Sequence, residues 1–236
     1  MSRITLVSLS FAAFVALAGP THAQTVIGGG KAGITFPITI NQSGSYKLAG
    51  NLNVPAGSGG IVIGSGLNVT LDLGGYQVAG PLECNKGGCN AVSYTTGIRI
   101  GSSNVRIHSG SVQGFGSAGI SFENGQLQSR VALEDISVTG NMHGVYLIVL
   151  QATRVTADNN AFHGIYANRG VIVDSIAINN GGSGVNVNGG VVRSSASMHN
   201  AKYGFELGFG VYDNLMSHMN GAGNSLQGTA GVNGLN

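Results

Sequence analysis

Charge is scarce in this sequence. Only 8% of its 236 residues are Asp, Glu, Lys or Arg, with 11 basic and 9 acidic side chains, against about a quarter in an ordinary soluble domain. No cluster of Lys and Arg exists, so a nucleic-acid partner is not expected. The acids form neither an EF-hand loop nor a GGxGxDxUx calcium repeat. Cysteine is scarcer still, with only Cys84 and Cys89. Their spacing does not fit a redox CxxC motif, and a metal site would lack further thiols. After residue 23 no long apolar run follows, so no membrane insertion is expected of the mature chain.

Glycine, by contrast, is abundant, at 41 residues, against a usual share of about 7%. Much of it is periodic. Gly144, Gly164, Gly184 and Gly204 stand 20 apart and open four consecutive blocks. Each Gly precedes an apolar residue, Val145, Ile165, Val185 or Phe205, and two positions on comes Leu147, Ala167, Val187 or Leu207. Asn160, Asn180 and Asn200 each stand four residues before the next block, and Asn220 four before the tail. A fixed period of this length marks a stacked array. Apolar residues alternate rather than falling at i, i+3, i+4 and i+7, which predicts strands of three to five residues broken by Gly, Asn and Ser turns. Constant spacing makes successive strands parallel and in register, stacked about 4.8 Å apart. The Asn column predicts a ladder of side-chain amides at one corner, where Asn also tolerates a left-handed backbone.

The GIxI and GVxV openings, the Asn column and the segment Asn68-Val-Thr-Leu-Asp-Leu-Gly-Gly-Tyr resemble the right-handed parallel β-helix proteins of the pectate-lyase-like superfamily. The resemblance runs from Ile34 to Asn224. It implies an all-β, single-stranded right-handed parallel β-helix of about eight coils with ~20-residue repeats. For activity it is unspecific, since that superfamily holds lyases, hydrolases, epimerases and adhesins.

The chain divides accordingly. Residues 1–23 read as a signal peptide, with Arg3, the apolar run Ile4 to Ala18 and a small-residue cleavage site ending at Ala23. The protein is therefore expected to be secreted or periplasmic, and monomeric. Residues 24–59 form an N-terminal cap and first coil, residues 60–223 the β-helix, and residues 224–236 a tail or cap. The segment 81–96 interrupts the pattern and is expected to project as a loop stapled by a Cys84–Cys89 disulfide. Two longer coils, of 22 and 25 residues, begin at Gly97 and Gly119.

Alternation assigns faces. Counting from each opening Gly, the first and third residues point inward and the second and fourth outward. The outward face then carries Arg99, Ser121 and Glu123, Tyr146, Tyr166 and Asn168, Asn186 and Asn188, and Glu206. Tyr146 and Tyr166 are expected to stack into a platform for a sugar, with Asn168, Asn186 and Asn188 along its border and Glu206 and Arg99 at its ends. Glu123 and Glu206 lie four coils apart, about 19 Å, too far to act as a glycosidase pair. Arg154 and Asp174, 20 apart, are expected to pair on the surface. His143 and His163 each precede an opening Gly and, with Arg99, are the weak catalytic candidates. The leading reading is an exported, non-catalytic carbohydrate-interacting protein with polysaccharide as its partner. The alternatives are a polysaccharide lyase, hydrolase or epimerase acting on a polyuronide, and a structural or adhesin-like solenoid. No cofactor is expected, with Ca²⁺ entering only if the chain is a lyase.

Overall fold

The computed structural model describes residues 24–28, 33–122, 130–226 and 229–231. The expected signal peptide, Glu123 and most of the tail lie outside these. The described chain is all strand and turn, and 20 of its strands form one sheet. Every ladder in that sheet is parallel, and a parallel sheet of 10 strands within it curls through about 304° without closing. The exception to parallel pairing is the small hairpin Cys84–Asn85 with Gly88–Cys89, closed by the expected disulfide.

Register follows the repeat. One row passes through Thr39, Val62, Arg99, Ser121, Tyr146, Tyr166, Asn186, Glu206 and Ser225, one residue per repeat. Its inward neighbours Ile61, Ile98, Ile120, Val145, Ile165, Val185 and Phe205 are all fully buried. A second inward column runs Leu71, Ile107, Leu133, Ala152, Ile172, Val192 and Tyr212. A third runs Leu52, Val78, Val112, Val138, Ala157, Ala177, Ser197 and Ser217, shrinking and then turning polar toward the C-terminus. Ser197 Oγ there donates to the Gly204 carbonyl at 2.6 Å and Ser217 Oγ to Asn224 Oδ1 at 2.8 Å, so neither buried hydroxyl is orphaned.

The Asn ladder exists and is longer than the sequence suggested. Side-chain amides donate from Asn141 to Asn160 (3.3 Å), Asn160 to Asn180 (2.9 Å), Asn180 to Asn200 (2.9 Å) and Asn200 to Asn220 (2.8 Å). Each amide oxygen along this column also accepts the backbone N–H of the preceding Asn. The ladder residues do not themselves take the left-handed corner. That backbone belongs to the residue before each: Asn159, Asn179, His199 and Met219, at φ of 53°, 56°, 55° and 51°.

The opening glycines serve this ladder. A Cβ on Gly164 would lie 2.7 Å from Asn180 Nδ2 and 2.7 Å from the Gly184 carbonyl oxygen, closer than real carbons approach. Gly and Asn are thus two parts of one packing unit, which is why both recur with the same period.

Two expectations need correction. Many strands have the expected three to five residues, but others are longer: His143–Asp158 spans 16, because pairing continues around a left-handed corner at Arg154 (φ 53°). Arg154 pairs with Asp135, not Asp174, through Nη2 to Oδ2 at 2.8 Å. Two guanidinium nitrogens, Nε and Nη2, reach the two Asp135 oxygens, a bidentate fit that decides the choice. The 81–96 loop does leave its own repeat, and the structure adds where it goes. Ser117 N–H donates to the Thr95 carbonyl at 2.9 Å, and the Lys86 carbonyl comes so near Gly181 that a Cβ there would be 2.8 Å away. The loop therefore lies along the stack, over repeats that begin far later in the sequence.

Candidate functional site

The site grows out of the outward row. Tyr146 and Tyr166 occupy equivalent positions of adjacent repeats, and their rings stack with centroids 4.6 Å apart and planes within 12°. Phe122 covers the far side of Tyr146 at 5.8 Å and 14°. Strand alternation counts Phe122 as inward; it is half-buried, packs against the core and also stacks on the outward Tyr146. Both faces of Tyr146 and one face of Tyr166 are thereby occupied. The column offers mainly ring edges and phenol hydroxyls to an incoming group, with a single tyrosine face, that of Tyr166, not covered by another ring.

His143 and His163 line up beside the tyrosines, as their place before each opening Gly implies. Ring centroids lie 5.2 Å apart for His143–Tyr146, 6.0 Å for His163–Tyr166 and 5.8 Å for the two histidines. Phe162, which no sequence pattern singled out, sets its edge against both imidazoles, at 5.1 and 4.4 Å. Its signal was available only as a lone aromatic before a corner histidine. Together with Ser117 these side chains line a hollow of about 380 Å³.

Burial governs the electrostatics here. It pushes the His143 pKa from 6.5 down to about 4, with repulsion from His163 adding to the effect. His143 Nδ1 is buried without a hydrogen-bond partner. Burial also lowers His163, against the opposing pull of Glu206. The Ser183 backbone N–H donates to His163 Nδ1 at 3.1 Å, which leaves the proton of the neutral ring on Nε2. Both imidazoles are neutral near pH 7. Tyr146 is raised by burial and by its neighbour Tyr166, so its hydroxyl stays protonated.

The polar end of the row is engaged in its own contacts. Glu206 Oε2 accepts from Ser183 Oγ at 2.5 Å and from Asn186 Nδ2 at 2.8 Å, while Oε1 lies 3.5 Å from Lys202 Nζ. Asn186 is only 8% exposed, so its amide holds Glu206 in place. Asn188 and Asn168 are exposed and bonded to each other at 3.2 Å. Arg99 stands two rungs from Tyr146, exposed, in a separate hollow with Tyr94 and Thr96, and is not brought to the histidines.

A nucleophile triad is not formed. Ser183 is fully buried, its hydroxyl donates to Glu206, and His163 receives the backbone N–H rather than the hydroxyl. Glu206 is the single acid of the row among the described residues. Asp72, Glu134 and Asp135 are held elsewhere by Lys47, Arg106 and Arg154. Among the described residues no three His, Cys, Asp or Glu side chains gather for a metal. What the arrangement can do is hydrogen-bond, through phenol hydroxyls and exposed amides along one side of the stack. A scan against protein-family models, a search of curated proteins and a search of solved structures each return no match to this chain.

Proposed function

We propose that this chain is an exported right-handed parallel β-helix, of the pectate-lyase-like kind, that binds a glycan along the Arg99–Glu206 row without cleaving it. Support for the fold comes from in-register parallel ladders advancing once per repeat and from the curl of the sheet. Support for export comes from the N-terminal sequence and from a disulfide, the chemistry of an oxidising compartment. The observation that carries the function is the stacked Tyr146–Tyr166 pair, edges outward, lining a hollow. Successive hydroxyls about 4.8 Å apart suit the hydroxyl-rich edge of a sugar chain better than a flat face.

Glycan-array screening followed by titration tests this with the wild type and a Tyr146→Phe/Tyr166→Phe variant. The variant keeps the stack and loses only the hydroxyls. At least about a tenfold weaker binding is expected, since each hydrogen bond contributes about 1 kcal/mol. Equal binding by the variant removes the edge-on mode, and absence of any glycan ligand removes the proposal. The enzyme reading rests on one observation, two neutral histidines in one hollow. Release of reducing ends or unsaturated product from a polyuronide panel, lost in His143→Gln, would put catalysis back in first place.

A further inference from the structure

Two consecutive repeats carry the same four positions with the middle pair exchanged: Ser197-Met198-His199-Asn200 and Ser217-His218-Met219-Asn220. The flanking residues are accounted for. Ser197 and Ser217 are buried in the third inward column, and Asn200 and Asn220 belong to the ladder. The middle residues are not. Register sets Met198 against His218 on neighbouring strands. At the corner itself His199 Nε2 lies 3.2 Å from Met219 Sδ, and the rings of His199 and His218 are 6.3 Å apart. The exchange brings His199, His218 and the Met219 thioether to one surface corner, with Met198 on the rung paired with His218, so that each repeat supplies a His and a Met.

We propose that Met198, His199, His218 and Met219 form a binding site for copper(I). Thioethers are soft donors and imidazole accepts copper well, so an S₂N₂ set selects the cuprous ion over harder cations. The 3.2 Å gap between His199 Nε2 and Met219 Sδ is close to the separation of two ligands on one tetrahedral metal. That separation is about 3.5 Å, taking bonds of about 2.0 and 2.3 Å. His199, His218 and Met219 are exposed, so an ion can reach them and His218 can turn inward to close the set. Thioethers also remain available where thiols oxidise, and the two cysteines of this chain are already paired.

Backbone conformation argues that these side chains are not there for stability. His199 and Met219 hold left-handed corners that the two preceding repeats give to Asn159 and Asn179. Asn fits that conformation readily, while an unbranched apolar residue such as Met is uncommon in it. Substituting Asn at both positions therefore separates binding from folding.

The test is anaerobic titration of the full chain with Cu(I) against bicinchoninate as competing chelator. One equivalent is expected to be withdrawn by the wild type. His199→Asn/Met219→Asn is expected to bind at least about tenfold more weakly while melting no lower than the wild type. Met198→Leu/His218→Gln is expected to weaken binding similarly, and X-ray absorption of the loaded wild type should show sulfur scatterers. Failure of the wild type to compete, equal retention by either double variant, or displacement of Cu(I) by equimolar Zn(II) overturns the proposal.

Discussion

Val187 and Asn188 are adjacent in sequence and opposite in surroundings: Val187 is fully buried and Asn188 exposed. Val187→Asp places an unpaired carboxylate among apolar neighbours and is expected to cost more than about 3 kcal/mol, whereas Asn188→Asp should stay within about 0.5 kcal/mol. Chemical denaturation of both variants measures the difference, and equal losses would overturn the face assignment. His143 makes a second, pH-dependent prediction. Its pKa falls from 6.5 to about 4 on folding, so the folded state binds the proton less readily than the unfolded chain. Above about pH 6.5 both states are neutral and His143 has no effect; stability is lost as pH falls from about 6.5 to 4. The loss attributable to this side chain is at most about 3 kcal/mol. A His143→Gln variant, followed by thermal melting across that range, should show a correspondingly flatter pH dependence. At this scale the inward and outward positions were legible because strand alternation has a period of two. Ring orientation was not. Register says that Tyr146 neighbours Tyr166, but the tilt that turns their edges outward depends on Phe122 and the histidines packed beside them.

The Gly–Asn unit is where element-level stability concentrates. Asn180 donates to the Ala157 carbonyl and to Asn200, and accepts from both nitrogens of Asn160. Asn180→Ala strands several buried groups at once and is expected to cost about 2–4 kcal/mol. Gly164→Ala drives a methyl into the same amide and into the Gly184 carbonyl, and should also be destabilising. The double variant is expected to cost less than the sum, because deleting the amide clears part of the clash. A double-mutant cycle by denaturant unfolding reads this coupling, and strict additivity would mean that glycine is retained at Gly164 for another reason. The recurrence of Gly and Asn was plain in the sequence; that one exists to make room for the other was not, since it depends on an approach across repeats. The 81–96 loop was harder still. Its sequence marks it as an interruption, but nothing local tells that Lys86 comes to lie against Gly181.

At the scale of the whole molecule, the repeat spacing carried most of the architecture. Offsets of 20 residues became parallel rungs without exception from Tyr146 to Glu206, and the irregular repeats after Gly97 and Gly119 kept the same row. The candidate site was legible as a row of residue types, less so as a hollow, because Phe162 and Ser117 enter from corners that carry no periodic signal. One further consequence lies in the third inward column, where Leu52 and a run of Val give way to Ala157, Ala177, Ser197 and Ser217. Opening the first repeats exposes much apolar surface there and so carries a large heat-capacity change; opening the last repeats exposes hydroxyls and carries a smaller one. The two ends therefore follow differently curved stability profiles. Cooling weakens the N-terminal end at this corner and leaves the hydrogen-bonded C-terminal end comparatively unaffected.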